Sequence, residues 1–183
     1  TGVSFDTVEL SLAAGSAGSV SVRNVADNVV LTGEGGVTYI THSTALHNFD
    51  ASTVQGNIKL QQGGDGGQIT ITSNSSVLTG AGNDTLNLGN STGNLTINAG
   101  AGNDTIWGGS GADTFVFDGE NFGSDTIRNF VVGTDTLDLS DYDFADVTFA
   151  QVGVDAVVTV GAAGTIKLIG VDAAALGESV YPA

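Results

Sequence analysis

The chain has no cysteine and no methionine, one proline (Pro182), and four cationic residues, Arg23, Lys59, Arg128 and Lys167, among 183 positions. Without cysteine there is neither a disulfide nor a thiolate metal site. Twenty aspartates and glutamates leave a net charge of −16, which argues against nucleic acid or an anionic membrane as a partner. No apolar run approaches the roughly 20 residues that a membrane-spanning helix needs. There is no initiator methionine and no signal-like stretch at Thr1-Gly2-Val3, so we read the chain as part of a longer protein. The only histidines are His42 and His47. Their spacing is not that of H-E-x-x-H and no zinc ligand set surrounds them, so they read as surface or turn residues. A metal or partner contact shared with Asp50 is the weaker alternative.

What the chain has in quantity is glycine, 28 residues of it. The run Thr79-Gly80-Ala81-Gly82-Asn83-Asp84-Thr85-Leu86-Asn87 recurs as Ala99-Gly100-Ala101-Gly102-Asn103-Asp104-Thr105-Ile106-Trp107. It recurs at once as Gly108-Gly109-Ser110-Gly111-Ala112-Asp113-Thr114-Phe115-Val116. The pattern is G-G-x-G-x-D-x-U-x, with U a large apolar residue. Six residues suit a turn and three a short strand. Glycine allows backbone angles that a Cβ resists, and lets carbonyls approach an ion closely. Aspartate supplies a hard oxygen, and calcium takes six to eight of them in a flexible shell. Leu86, Ile106 and Phe115 are expected in the core. Two nine-residue halves make a coil, so like turns stack about 18 residues apart by the nonapeptide period. Asp84 and Asp104 then lie one above the other and share an ion, while Asp113 faces the opposite edge. The bland alternative is a glycine-rich solenoid whose aspartates only cap turns.

These residues resemble the RTX (repeats-in-toxin) calcium-binding family, whose members leave the cell by type I secretion. The resemblance covers residues 79–116, and the segments Asp125–Phe130 and Gly133–Ser140 are similar to those that close such rolls. It implies calcium sites built from turn carbonyls and aspartates. One site uses Gly80, Gly82 and Asp84 with Ala99, Ala101 and Asp104. A second starts from Gly100, Gly102 and Asp104, and a third from Gly109, Gly111 and Asp113. The segment Phe117–Phe122 departs from the consensus, and Asp118, Glu120 or Asp125 substitutes in the upper turns. The turn Gly89-Asn90-Ser91-Thr92-Gly93 has no aspartate, so no ion is expected there. Asp104 serves ions on both sides. Calcium takes over the stabilising role of disulfides outside the cell.

Upstream, Gly18–Val22, Gly56–Leu60, Gly67–Ile71 and Gly93–Ile97 each set an alternating apolar strand after a glycine. The solenoid is therefore expected to extend from residue 1 to 78 in less regular coils. Asp65 lies 19 residues before Asp84 in the sequence and is placed beneath it. Residues 147–170 alternate again and read as antiparallel strands capping the last coil. Ala173–Leu176 suits one helical turn. The ending Leu168–Tyr181 is similar to uncleaved C-terminal export signals, the alternative being an ordinary frayed cap.

Three further patterns carry structural readings. Gly89–Gly93 matches G-x-S-x-G, which needs a strand, a sharp turn and a helix with a histidine partner, and here it sits inside a β repeat. Trp107, Phe115 and Phe117 suit core packing better than a sugar platform. Asn74, Asn90 and Asn94 fit the glycosylation pattern, which says little in a chain rich in Ser and Thr.

The expectation is an all-β fold, a right-handed parallel β-solenoid with a calcium β-roll and a C-terminal β cap. Its segments are 1–78 (irregular coils), 79–125 (β-roll) and 126–183 (cap and export signal). The function expected is binding rather than catalysis, in a secreted cell-surface protein. Its partners are calcium, the type I secretion machinery and copies of itself in a surface-layer lattice. The alternatives are the secretion module of an exported hydrolase, or part of a large adhesin.

Overall fold

The computed structural model describes residues 7–15, 17–22, 28–41, 48–62 and 70–177. The chain crosses back and forth between two sheets. One sheet holds, side by side in this order, β1 (Thr7–Leu12), β3 (Asn28–Gly33), β5 (Asn48–Asp50), β7 (Ser75–Leu78), β9 (Leu95–Asn98), β11 (Thr114–Val116) and β13 (Thr136–Asp138). The other holds β2 (Ala17–Val22), β4 (Gly36–Thr41), β6 (Ile58–Gln62), β8 (Thr85–Asn87), β10 (Thr105–Trp107) and β12 (Gly123–Arg128), then β16 (Gly164–Leu168), β15 (Asp155–Val160) and β14 (Val147–Val152). Within β1–β13 every pairing is parallel and joins strands one coil apart. This is an all-β parallel solenoid, and the upstream strands share its two sheets with the glycine-rich repeats.

The repeat explains the strands. In β8, β10, β11, β12 and β13 a Thr is followed by the apolar residue, and the pleat turns that residue inward. Leu60, Leu86, Ile106, Ile127 and Leu168 stand in register across one sheet. Phe49, Val77, Ile97, Phe115 and Leu137 do so across the other. All ten are buried, so the core is two facing ladders of like side chains. Phe115 and Phe117 belong to it as expected, and Phe115 packs 5.9 Å from Phe130 between ring centres. Trp107 stays half-buried, with the Arg128 guanidinium 5.4 Å from its ring centre.

The closing strands are antiparallel, as the alternation predicts: β14 pairs with β15, and β15 with β16. They cap within the plane of the sheet, β16 adding to β12 in parallel. Phe122 is buried there between Phe117 and Tyr142, with ring centres at 5.0 and 6.0 Å. Ala173–Ala175 forms a single 3-10 turn, which the Asp172 carboxylate caps by accepting from the Ala174 amide. Among the described residues no helix is long and apolar enough to cross a membrane.

Candidate metal centre

The turns preceding β8, β10 and β12 stack into one column along an edge of the solenoid. Asp84, Asp104 and Asp125 stand in it, 2%, 1% and 2% exposed. Each uses Oδ1 to accept an amide from the coil below: from Ile58 at 2.7 Å, from Asp84 at 2.7 Å and from Asp104 at 2.8 Å respectively. Their three Oδ2 atoms are buried and have no hydrogen-bond partner. Buried acceptors are nearly always paired, and a cation between the turns would satisfy three such carboxylate oxygens in a row. Among the described residues no three acidic or histidine side chains converge on one point. The remaining donors therefore have to be backbone carbonyls.

The glycines make those carbonyls reachable. A methyl group on Gly102, at φ +141°, would fall 1.9 Å from the Gly82 oxygen, and one on Gly100 would fall 2.1 Å from the Gly80 oxygen. The carbonyls of Gly80 and Ala101 accept amides of Ala101 and Gly82 at 3.0 and 2.9 Å, and that of Ala99 accepts the Thr79 hydroxyl at 2.9 Å. Each carbonyl keeps a second lone pair. The donor set fits calcium, which prefers oxygens in an adaptable shell.

A second ladder runs beside the aspartates with opposite polarity. Asn57, Asn83 and Asn103 each use Oδ1 to accept the amide of the coil above, from Asn83, Asn103 and Ser124 at 2.9, 2.8 and 2.8 Å. Asn74 and Asn94 do the same on the opposite edge. Sequence reasoning missed this role, although the signal was there: an Asn immediately precedes Asp84 and Asp104.

On the opposite edge Asp113 and Asp135 are also buried, but neither has a bare oxygen. Asp113 accepts from Leu95 at 3.0 Å and from Gly109 at 2.9 Å, and Asp135 accepts from Asp113 at 3.0 Å and from Val131 at 2.8 Å. The sequence had placed Asp113 on this edge but did not name Asp135 as its neighbour.

Other expected residues fall differently. Of the three substitutes, Asp125 joins the first column. Asp118 and Glu120 are exposed, Asp118 accepting from the Asn98 side chain at 3.0 Å. The residue in register beneath Asp84 is Ile58, 26 positions earlier; Asp65, like His42 and His47, lies outside the described residues. Coil lengths also depart from the expected period: 20 and 21 residues along the first column, 18 and 22 along the second. Ser91 of the G-x-S-x-G pattern is buried and accepts the Ile71 amide at 3.0 Å, a structural use of its hydroxyl. Asp50 accepts the amide and hydroxyl of Ser52 in a turn.

Burial raises the pKa of Asp104 to about 8, with the charges of Asp125 and Asp84 adding to it and the Asp84 amide opposing it. Burial likewise raises Asp125 to about 7 and Asp113 to about 6, and pushes Asp84 and Asp135 up. In the metal-free fold these groups hold protons more tightly than at their ordinary value of 3.8. Their support for that fold is whole below about pH 4 and is lost as pH rises through about 6, 7 and 8. In chelator, the far-UV circular dichroism β signal is therefore expected to be larger at pH 5 than at pH 9. A signal flat or rising over that range would contradict the assignment.

Residues 72–95 and 91–121 match the family profile described as RTX calcium-binding nonapeptide repeat (4 copies). These are RTX calcium-binding repeats. Calcium is their cofactor, and the bare oxygens of the first column lie within the matched turns or, for Asp125, directly above them. Among solved structures, the chain is similar to a subunit of the Azotobacter vinelandii mannuronan C5-epimerase determined in solution. The identity is 24%, the TM-score 0.51, and the match covers 70% of this chain and 78% of that one. At that identity the likeness concerns the fold. No curated protein matches the chain.

Proposed function

We propose that the chain is a calcium-folded, non-catalytic module of a secreted bacterial protein, structural in a self-assembling surface layer. One observation carries the calcium dependence: the three buried Oδ2 atoms of Asp84, Asp104 and Asp125. One ion is held by Asp84 with the carbonyls of Gly80 and Gly82, and by Asp104 with those of Ala99 and Ala101. A second is held from Gly100, Gly102 and Asp104, with Asp125 above. When bound, calcium supplies the positive charge that lets adjacent carboxylates ionise inside the fold.

The consequence is a chain that reads its compartment. In a low-calcium cytosol the acidic turns repel, and a poorly ordered chain suits threading through a type I export channel. Outside the cell, binding to the folded state alone stabilises it by mass action. Affinity is expected at roughly 10⁻⁴ to 10⁻³ M, the range of extracellular modules. The surface-layer role is supported by the length of the solenoid upstream of the repeats and by the edge strand β14, near whose end Val152 and Val154 are 56% and 78% exposed. A second reading, an accessory module of an exported enzyme, is favoured by the solved subunit of like fold, which belongs to an epimerase. An adhesin is the remaining alternative.

Calcium titration into chelator-treated protein, followed by far-UV circular dichroism and light scattering, tests the proposal. A cooperative gain of β signal near millimolar calcium with growth of ordered particles is the expected result. The same gain in a persistent monomer would sink the lattice role and favour the accessory module.

A further inference from the structure

The two turn columns of the solenoid differ in chemistry although the nonapeptide runs through both. In the first, each aspartate gives one oxygen to an amide of the coil below and leaves the other buried and bare. In the second, the other oxygen reaches back to an amide of its own turn, Gly109 for Asp113 and Val131 for Asp135. The coils on either side are alike for the two columns: a buried apolar residue lies in register below the first aspartate, Ile58 below Asp84 and Leu95 below Asp113, and both upper turns depart from the repeat, with Asn121-Phe122 ahead of Asp125 and Val131-Val132 ahead of Asp135. The contrast lies in the hydrogen bonds of the aspartates themselves. Further down the edge of Asp113, Ser91 closes the contact with its hydroxyl to the Ile71 amide and its carbonyl to the Ser110 amide at 2.8 Å.

We infer that calcium is held along the Asp84–Asp104–Asp125 column only, and that the Asp113–Asp135 column is closed by hydrogen bonds without metal. The third ion expected from Gly109, Gly111 and Asp113 is therefore not bound. A carboxylate that accepts an amide at each oxygen has its charge met by two fixed dipoles, whereas one with a buried oxygen left bare stays ionised only if a cation meets its charge. The inference rests on the calcium reading above and adds a division of labour: one edge senses the ion, the other holds the coils together regardless of it.

Equilibrium dialysis with calcium on the full chain counts the ions. Asp104→Asn is expected to bind at least one ion fewer than the parent, while Asp113→Asn and Asp135→Asn bind as many as the parent. Loss of an ion by either of the latter overturns the inference. A parent that binds no calcium would instead overturn the calcium reading itself. Because Asp113→Asn removes a buried charge whose acceptors hold two amides, its fold is checked by circular dichroism in calcium. A measurement on the unmodified chain decides in any case: Mn²⁺, added at less than one equivalent, should broaden the amide resonances of Gly102, Asn103 and Asp104 first and leave those of Gly111 and Ala112 sharp. Simultaneous broadening on both edges would overturn the one-column assignment.

Discussion

Asp104→Ala is expected to raise the calcium concentration at the folding midpoint by tenfold or more, roughly the scale on which metal sites respond to loss of even a supporting group. Asp104 is the only aspartate of the first column with another directly below and another directly above. Its Oδ1 accepts the Asp84 amide at 2.7 Å, its own amide donates to Asp125 at 2.8 Å, and its Oδ2 is bare. Truncation removes an oxygen from two adjacent intervals and orphans a buried amide, the latter alone costing about 1–3 kcal/mol. Asp118→Ala is the control, since Asp118 is exposed and its partner is the half-buried Asn98 side chain. Calcium titrations of the two variants by circular dichroism check the prediction. Equal midpoints would show that the column is not where the ion acts.

Gly102→Ala is expected to lower stability in saturating calcium by roughly 2–6 kcal/mol, adding backbone strain to overlap. At φ +141° the residue sits where an L side chain is rarely found, and its Cβ would lie 1.9 Å from the Gly82 oxygen and 2.7 Å from the Gly82 carbonyl carbon. No rotamer relieves this, because both partners are backbone. The turns would have to part, and with them the carbonyls and the aspartate ladder. Gly119→Ala isolates the conformational share. There φ is +83° and nothing lies within 4 Å of the added methyl, so only the left-handed penalty of about 1–2 kcal/mol is expected. Urea unfolding of both variants in calcium separates the contributions; similar losses would mean that the close stacking of turns is not what the glycine serves.

The repeat made the essentials legible. The residue two places after each aspartate is in the core, the strands fall where the nonapeptide puts them, and Asp104 and Asp113 face opposite edges. The capping strands were legible too, because the alternation at Val147–Phe149, Val157–Val160 and Ile166–Gly170 is a local property of sequence. Coil length was not. Strand register is set by matching side chains across the sheet, while lengthening a loop costs little entropy. A coil of 26 residues thus puts Ile58 beneath Asp84, and no spacing rule would have chosen it over Asp65. Nor does the motif reveal which aspartate oxygens stay bare. Asp84, Asp104 and Asp113 sit in near-identical strings, and Asp84 and Asp113 even have like neighbours, an apolar residue in register below and an aspartate above, yet only Asp113 accepts an amide of its own turn.

Among the described residues of the coiled region each strand is bonded only to the coil before and the coil after, and no strand pairing joins one end of the solenoid to the other. Pulled along its length, such a body does not snap as a globule does; it surrenders one coil at a time. A coil of 20 residues, such as that from Asp84 to Asp104, drawn out straight pays out roughly 65–70 Å of chain. Where the proposed ions bridge Asp84, Asp104 and Asp125, each would add to the load needed to peel its coil. Anchored at both ends, the chain would behave as a spring whose stiffness is dialled by dissolved calcium.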